Sequence, residues 1–394
     1  MTPENQQAQM ELIKSMVGPW HQSVANPARA QETHLEELLK SYSQTDYGRM
    51  HHSEKVGSYA DYKKAFPVQT FEGFKPYIDK VMQGDTHALL SEEPLYIGYT
   101  KGTTGSPKIF PFTPTHAKIF REINLRIIFN YSLSKQNFEW ISGYKLNLIS
   151  SGNIGTIKVG TREMKYGFSV AVAASIIEEN NPTALKVVPT QNEMDSLPKE
   201  ATKLNWETRY EFAYQKAREK NVTYIMTTPN VVVGFGRYLH RKYHIKPKDL
   251  WQVKYIMAGG FANTHTRFAP PIHDLFGKSA DIRESYVSTE GAFGAQIDDM
   301  KAWTPFYDRM FFEVETTSGI KPMHEMIPGE IGALIASTAS LPRYRIGDLI
   351  LAFQPPYFRC IGRENAKLHP YSFGKLTGKS VFQFPQANDL ASWR

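Results

Sequence analysis

The chain has 394 residues and a formal net charge of +7, with 41% hydrophobic and 22% charged residues. This composition excludes a disordered chain, a collagen-like chain and a coiled coil, and it is sufficient to build large hydrophobic cores. The single cysteine, Cys360, excludes an internal disulfide framework and a cysteine-rich zinc site. The longest nearly apolar stretch, Phe168–Ile177, has ten residues, whereas a membrane helix needs about 20. The N-terminus has no secretory signal pattern, so we expect a cytoplasmic protein without a membrane segment.

The first 90 residues are predicted to be largely helical. Apolar residues recur at helical spacing over Leu35–Tyr42, and this helix is expected to end near Gly48. Two further helices are expected within residues 57–90, with a break at Pro67. A strand is predicted over Pro94–Tyr99.

From residue 113 onward, predicted helices and strands alternate. Thr113 is a suitable capping residue for a helix, because its hydroxyl precedes a proline at the first helical position. The segments that follow are a helix over Trp206–Lys220, a strand over Tyr224–Thr227, a helix over Asn230–His240, and strands over Val253–Met257 and Ile282–Val287. From Met310 the pattern becomes rich in strands. This alternation predicts an α/β fold with largely parallel sheets and a β-rich part.

The loop Thr100–Lys108 follows a predicted strand, where ligands bind in open α/β sheets. Gly102 and Gly105 let its backbone curl, so that amide groups and hydroxyls can point at phosphate oxygens while lysines add positive charge. The glycine–lysine spacing differs from that of a P-loop. A loop of this composition is also typical of a plain connecting turn.

Two other segments carry an acidic residue next to hydroxyl groups or a glycine. In Tyr286–Gly291, Glu290 is suited to Mg²⁺, a hard cation that binds oxygen ligands and substrate phosphates. The alternative for this segment is a capped turn. In Tyr344–Leu349, Asp348 follows a predicted tight glycine turn and is suited to accept both hydroxyls of a ribose. The alternative there is an ordinary β-turn aspartate.

Together and in this order, the three segments resemble the ATP-binding motifs of the adenylate-forming superfamily of acyl and aryl ligases. A fourth segment, Cys360–Glu364, resembles the Gly-Arg hinge that follows the ribose aspartate in that superfamily. Leu35–Arg49 and Tyr286–Gly291 are most similar to the auxin-responsive acyl-acid amido synthetases. The similarity extends over residues 30–365. It implies the large N-terminal domain of those enzymes, with ATP and Mg²⁺ as cofactors.

The resemblance also implies a role for each residue that matches a motif. The implied catalytic residues are Lys101, Thr289, Glu290 and Arg363, of which Glu290 also holds Mg²⁺. The residues implied to bind ATP are Thr100, Gly102, Thr103, Thr104, Gly105, Lys108, Gly259, Gly260, Tyr286, Ser288 and Asp348. Among these residues, Tyr286 is expected to stack on adenine and Asp348 to hold the ribose, while Thr289 hydrogen-bonds the α-phosphate. Phe261 and Phe293 are expected to line the acid pocket, with ordinary core aromatics as the alternative.

The sequence departs from the superfamily pattern at two places. Lys101 stands where a serine is usual. Its ammonium group is expected to retune phosphate binding, and the alternative is that its bulky stem blocks the usual fold of the loop. Only residues 364–394 follow Arg363, whereas the superfamily normally carries a mobile carboxyl-terminal lid that supplies a lysine. We therefore expect a large adenylating domain over 1–362, divided near residues 90 and 309. A hinge and short remnant are expected over 363–394.

The expected function is ATP-dependent activation of a small carboxylic acid as an acyl-adenylate, with release of pyrophosphate. Transfer to an amine, such as an amino acid, then forms an amide. Two alternatives stay open: a ligase that forms a thioester with coenzyme A or a carrier protein, and a lidless protein that binds nucleotide without turnover. Because the basic residues are dispersed, no nucleic-acid partner is expected. Cys360 is interpreted as a structural cysteine rather than an acyl-accepting thiol. The oligomeric state stays open.

Overall fold

The computed structural model describes residues 3–100, 108–136, 138–180, 186–261 and 264–364. The α-helices in these ranges are α1 (Pro3–Ala25), α2 (Pro27–Tyr42), α3 (Asp46–Met50), α4 (Tyr59–Ala65), α5 (Phe71–Met82), α6 (Pro114–Lys135), α7 (Ser169–Asn180), α8 (Gln191–Asp195), α9 (Lys203–Ala217), α10 (Pro229–Tyr243), α11 (Pro247–Leu250) and α12 (Ala269–Phe276). A π-helical turn, Thr264–Phe268, precedes α12.

The strands in the described ranges are β1 (Tyr96–Thr100), β2 (Lys108–Phe112), β3 (Tyr144–Leu146), β4 (Gly155–Val159), β5 (Arg162–Phe168), β6 (Lys186–Val188), β7 (Val222–Thr227), β8 (Tyr255–Gly259), β9 (Asp281–Val287), β10 (Ala292–Ala295), β11 (Thr304–Pro305), β12 (Phe311–Thr316), β13 (Gly319–Pro322), β14 (Ile331–Ser337), β15 (Tyr344–Ala352) and β16 (Phe358–Arg363). Apart from the helix end expected near Gly48, the helices and strands that the sequence predicts are present at these positions, within a few residues at their ends.

The chain forms two compact units, and the first contains residues 1–16, 82–84 and 92–289. One of its sheets is mixed, with the order β2-β1-β5-β4, in which β1 and β5 run parallel. Strands β9, β8, β7, β3 and β6 form a parallel arrangement in that order. Helices α9, α10 and α12 supply the apolar residues that pack with these strands. Ile225, Ile256 and Ile282 are buried at the centre of this core, as expected for parallel strands covered by helices.

Helix α6 of the first unit begins as the sequence predicts. The Thr113 side chain accepts a hydrogen bond from the backbone N–H of His116, at 3.2 Å, and Pro114 occupies the first helical position. This bond satisfies one of the amide groups that a helix leaves unpaired at its start.

Among the described residues, the second unit contains residues 17–81, 85–91 and 290–364. Its antiparallel sheet has the order β13-β12-β14-β15-β16, and β10 pairs antiparallel with β11. Helix α2 buries Leu35, Leu38 and Tyr42, which confirms the apolar face predicted from their spacing. The Gln31 side chain joins α2 to the sheet region, because its amide nitrogen donates to the carbonyl of Met310 at 2.7 Å. Its amide oxygen accepts from the N–H of Phe312, also at 2.7 Å.

The expectation that Gly48 ends the helix was wrong. Helix α2 ends at Tyr42, and Gly48 is a buried residue inside the next helix, α3. A Cβ atom at this position would lie 1.9 Å from the backbone oxygen of Tyr42. Glycine is therefore required at position 48 for close packing of two helical segments and not for helix termination.

None of the helices in the described part of the chain combines the length and apolar character that crossing a membrane requires. The expected division into a domain over 1–362 and a remnant over 363–394 stays a prediction.

Candidate active site

The Thr100–Lys108 loop connects two paired strands of the first unit. Thr100 is the last residue of β1, Lys108 is the first residue of β2, and the two lie opposite each other in the antiparallel register. The loop ends are therefore fixed side by side, which is the arrangement that a loop curling around an anion requires. The loop residues to which the sequence assigns phosphate contacts (Lys101, Gly102, Thr103, Thr104 and Gly105) lie outside the described residues.

Thr289 lies in contact with the end of strand β5. Its hydroxyl is 2.8 Å from the hydroxyl of Ser169, and both side chains are buried. Ser169 follows β5 directly, and in the parallel pairing of β1 with β5, Tyr99 lies beside Phe168. Thr100 and Ser169 are each the next residue along the chain, Thr100 as the last residue of β1 and Ser169 as the first residue of α7. The structure thus brings the end of the glycine-rich loop and Thr289 to the same edge of this sheet.

Gly259, Gly260 and Tyr286 lie where neighbouring parallel strands end. Gly259 closes β8 and is beside Ser285 of β9 in the register. A Cβ atom on Gly259 would lie 3.1 Å from the Ser285 hydroxyl oxygen, so a side chain at this position would require that hydroxyl to move slightly. Gly260 has a φ of +81°, which favours glycine. The Tyr286 side chain is buried at the end of β9, and Ser288 is half-buried just beyond it.

In the second unit, the carboxylate of Glu290 faces a tyrosine hydroxyl. The hydroxyl of Tyr344 donates to Oε1 of Glu290 over a long distance of 3.5 Å. Burial, reinforced by the negative charge of Glu290, holds the pKa of Tyr344 well above its usual value, so the phenol stays protonated as a donor. At this length the contact favours one orientation of the carboxylate only weakly.

The donor set around Glu290 fits a magnesium ion that is shared with substrate phosphates. Among the described residues, no group of three or more histidine, cysteine, aspartate or glutamate side chains converges as a protein cage for a metal would. Mg²⁺ is typically held by only one or two carboxylates together with substrate phosphates and waters. A single half-buried carboxylate, Glu290, is consistent with that mode.

Asp348 and Arg363 form an ion pair on neighbouring strands of the second unit. The two residues lie opposite each other on β15 and β16, and Nε of Arg363 is 2.9 Å from Oδ1 of Asp348. Arg363 also donates to the carbonyl of Ile346 at 3.0 Å. The Asp348 side chain is 9% exposed, whereas that of Arg363 is 48% exposed. The guanidinium group is thus positioned by the aspartate and remains accessible to a ligand.

The tight turn expected before Asp348 is wrong, because residues 344–352 form one continuous strand, β15. The irregularity that the sequence signals is a bulge, since the register between β14 and β15 shifts at this point. Gly347 has a φ of +84° there. Bulges accept glycine in this conformation and re-aim the neighbouring side chains.

The two aromatic residues expected to line the acid pocket lie in different units. Phe261 is 38% exposed and packs edge-on against Phe268, with ring centroids 5.4 Å apart. Phe293 is fully buried and packs against Phe312, at 6.4 Å. Their role as pocket walls stays a prediction.

Cys360 does not have the properties of an acyl-accepting thiol. Burial, with a smaller effect of the nearby Asp348 carboxylate, raises the pKa of its thiol to about 12. The reactive form of cysteine is the thiolate, so a neutral thiol of this kind supports the interpretation of Cys360 as a structural residue.

Three features of this region have no signal in the motifs. Ser169 precedes an apolar helix, and its contact with Thr289 spans 120 residues of sequence. Tyr344 is part of a recognised motif, but its contact with Glu290 spans 54 residues. The third feature is a contact in the first unit, in which Nε2 of the half-buried His265 is 3.4 Å from Oε2 of the buried Glu284. Only the three-dimensional pairing of distant segments reveals these contacts.

Comparison with known proteins identifies a matching family model and two similar sequences. Residues 19–192 match the model of the GH3 family N-terminal domain. The chain is 28% identical over 176 residues to indole-3-acetic acid-amido synthetase GH3.15 of Arabidopsis thaliana, which covers 44% of this chain and 26% of that protein. A second Arabidopsis thaliana relative, indole-3-acetic acid-amido synthetase GH3.2, is 33% identical over 88 residues, or 22% of this chain and 16% of the relative. The matches thus span about a quarter or less of the curated relatives' length.

Solved structures share the fold at low sequence identity. A structure of the AtGH3.15 acyl acid amido synthetase in complex with 2,4-DB superposes with a TM-score of 0.71 at 16% identity, covering 92% of this chain and 71% of that one. An open conformation of 2-hydroxyisobutyryl-CoA ligase, in complex with 2-HIB-AMP and CoA, gives a TM-score of 0.55 at 14% identity and covers 85% of this chain and 74% of the ligase. The predicted α/β fold is thus confirmed, and the sequence similarity to the GH3 family N-terminal domain extends over residues 19–192.

Proposed function

We propose that the chain activates a small carboxylic acid with ATP and transfers the acyl group to an amine. In the first step, an oxygen of the acid attacks the α-phosphorus of ATP, the bond to the β-phosphate oxygen breaks, and pyrophosphate leaves. In the second step, the amine attacks the acyl carbon and AMP leaves, so that an amide forms and the amine loses a proton. The carrying observation is the placement of the loop ends Thr100 and Lys108 on the sheet edge that also holds Thr289.

Each described motif residue has a task that suits its surroundings. Lys108 supplies positive charge at the end of the loop, and the Thr289 hydroxyl donates to an α-phosphate oxygen. Asp348, aligned by Arg363 at 2.9 Å, accepts from the ribose hydroxyls. The exposed Arg363 guanidinium meets the developing negative charge. In phosphoryl transfer, the protein contributes mainly by positioning the reactants and by stabilising charge.

Glu290 would hold a magnesium ion together with phosphate oxygens of ATP. When bound, the ion offsets the negative charge of the phosphates that the acid approaches. The long hydrogen bond from Tyr344 weakly favours one orientation of this carboxylate. The similarity to amido synthetases supports an amine as the acceptor, with an amino acid as the preferred class.

Acid-dependent exchange of radioactive pyrophosphate into ATP tests the first step directly. We expect exchange with at least one member of a panel of aryl, indolyl and aliphatic acids. Asp348→Asn should abolish most of this exchange. The matched control is Asp274→Asn, since Asp274 is an exposed aspartate on α12 whose partner is Lys246. The control variant should exchange pyrophosphate as the wild-type chain does.

The acid that supports exchange then serves to identify the acceptor. Amide formation is measured with a mixture of amino acids, and thioester formation is measured separately with coenzyme A. If a product forms only with coenzyme A, the acceptor is a thiol and not an amine. Absence of exchange with every acid, although ATP binds, would contradict adenylation and favour a nucleotide-binding protein without turnover.

A further inference from the structure

We propose that Ser169 is a positioning residue of the nucleotide site, which orients the Thr289 hydroxyl toward the α-phosphate. This inference rests on the proposed function, because it assumes that Thr289 contacts that phosphate. Ser169 belongs to none of the sequence motifs, and only its contact with Thr289 indicates the role.

The position of Ser169 places it between the two motifs that are proposed to contact phosphate. It follows the last residue of β5, and β5 runs parallel to β1, which leads into the glycine-rich loop. Because the carboxyl ends of parallel strands share one edge, Ser169 lies beside the start of that loop. Its hydroxyl reaches Thr289 on the other side, at 2.8 Å.

The chemistry of the contact gives Ser169 a directional effect. A hydroxyl group has one hydrogen to donate and two lone pairs that accept. When the Ser169 hydroxyl donates to Oγ1 of Thr289, the hydrogen of Thr289 is available for a phosphate oxygen. Such a chain of donors is polarised cooperatively toward an anion. Both hydroxyls are buried, so water does not readily take the place of Ser169.

A buried network holds the end of β5 in place. The N–H of Phe168 donates to the carbonyl of Ser151 at 3.2 Å. The N–H and hydroxyl of Ser151 both donate to the Glu200 carboxylate, at 3.1 Å and 2.7 Å. A Cβ atom on Gly167 would lie 1.9 Å from the carbonyl oxygen of Gly152, so the two segments pack backbone to backbone. Ser169 is therefore presented from a fixed backbone, as a positioning residue must be.

Calorimetric binding of AMP and of adenosine to the whole chain tests the proposal. Ser169→Ala should raise the dissociation constant of AMP roughly fivefold, which corresponds to about 1 kcal/mol for one hydrogen bond. Its affinity for adenosine, which has no phosphate, should stay unchanged. Ser175→Ala is the matched control, because the Ser175 hydroxyl lies on the same helix and donates to the carbonyl of Ala171 within it, at 3.3 Å. The control should affect neither ligand.

A double-mutant cycle separates positioning from a structural effect. If Ser169 acts through Thr289, then Ser169→Ala should cause no further loss of AMP affinity once Thr289→Ala is present. Ser169→Cys, which keeps the volume but donates weakly, should resemble Ser169→Ala and serves if the alanine variant unfolds. Equal losses for AMP and adenosine, or additive losses with Thr289→Ala, would overturn the inference.

The cycle also distinguishes this inference from the proposed function. It requires nucleotide binding only, so it is informative even if the wild-type chain exchanges no pyrophosphate with any acid. If the double-mutant cycle shows the expected coupling but no acid supports pyrophosphate exchange, Ser169 is a positioning residue in a protein that binds nucleotide without turnover. Exchange by the wild-type chain together with an unaffected Ser169→Ala variant would reject the inference alone.

Discussion

At the scale of single residues, His116 makes the folded chain sensitive to acid. Its side chain packs against Phe112 and Phe120, with ring centroids 4.1 Å and 4.8 Å away. Its Nε2 atom is buried without a hydrogen-bond partner among the described residues. Burial lowers the pKa of His116 from its ordinary value of 6.5 to about 3. Between these values the unfolded chain binds a proton that the folded chain does not, so stability falls as the pH decreases.

We expect His116→Phe to remove this part of the acid sensitivity. The difference in free energy of unfolding between variant and wild type should shift in favour of the variant by about 1.4 kcal/mol per pH unit below pH 6.5. Phenylalanine keeps the ring contacts, so packing changes little. Urea unfolding at pH 7, 6, 5 and 4 measures the slope. His240→Phe, at an exposed position of α10, should retain the wild-type slope, and a His116→Phe slope equal to it would contradict the prediction.

Gly347 is the second residue whose role can be isolated. Its φ of +84° belongs to the bulge in the pairing of β15 with β14, directly before Asp348. An alanine in this conformation costs about 1 kcal/mol, and relief of the strain would straighten the bulge. Since the pairing of β15 with β14 shifts by two residues across this bulge, straightening it would displace Asp348. Gly347→Ala should therefore lower stability and weaken ATP binding roughly fivefold, a loss of about 1 kcal/mol.

Gly329→Ala is a close control for this substitution. Gly329 has a φ of +87°, and a Cβ atom there would meet nothing within 4 Å. The same conformational cost should therefore appear in chemical unfolding of both variants. Only Gly347→Ala should alter the dissociation constant of ATP in calorimetry. Similar ATP affinities for the two variants would show that the bulge at Gly347 does not contribute to ATP binding.

At the scale of secondary structure, the sequence predicted elements well where local patterns decide them. The apolar spacing from Leu35 to Tyr42 and the Thr113 cap each correspond to a helix in the structure. The prediction failed where a glycine serves packing or register, as at Gly48 and Gly347. A glycine between structured segments is typical of a turn, a bulge and a close contact alike. The segment that packs against the glycine decides between these roles, and a local sequence pattern does not reveal which segment that is.

The start of β15 is held by a buried ion pair that no motif signals. Nε of Arg343 is 2.8 Å from Oε2 of Glu313 on β12, and both side chains are nearly inaccessible. The hydroxyl of Tyr59 donates to the same carboxylate at 2.9 Å. Removal of one partner of a buried pair leaves a charge without compensation, which costs about 3–5 kcal/mol. Glu313→Gln should therefore lower the free energy of unfolding by about that amount.

The same two strands provide the control for this prediction. Glu315 of β12 pairs with Arg345 of β15, but these side chains are 38% and 28% exposed. Pairs in contact with solvent contribute at most about 1 kcal/mol, and Arg345 keeps a second partner in Glu364. Glu315→Gln should thus have a small effect in guanidinium unfolding. A similar loss for both variants would show that burial of the Glu313 pair is not decisive.

At the scale of the whole molecule, each unit is assembled from separate parts of the chain. In the second unit, Gln31 of α2 bonds to Phe312 of β12, which is 281 residues away in sequence. The sequence indicated the order of the motifs, and therefore the resemblance to a family, because each motif is local. It did not indicate the partners of Thr289 and Glu290, because contacts such as those from Ser169 and Tyr344 depend on which segments pack together.

Ligand-linked stability of the whole chain tests the assignment of magnesium to Glu290. A ligand that binds only the folded chain stabilises it by about 2.7 kcal/mol at one hundred times its dissociation constant. ATP with Mg²⁺ should therefore raise the unfolding temperature by a few degrees, and ATP with a chelator should raise it less. A neutral amide is a weaker ligand for Mg²⁺ than a carboxylate. Glu290→Gln should therefore lose most of the increase in unfolding temperature that depends on magnesium.

Glu93→Gln controls for the loss of one negative charge, since Glu93 is an exposed residue of the first unit. This variant should respond to Mg²⁺ as the wild-type chain does. The part of the shift that ATP causes in the presence of chelator should be the same in all three proteins, because base and ribose contacts do not involve Glu290. A full magnesium effect in Glu290→Gln would show that another group holds the ion. Loss of the chelator-insensitive part would instead mean that Glu290 supports the fold of the site rather than the metal.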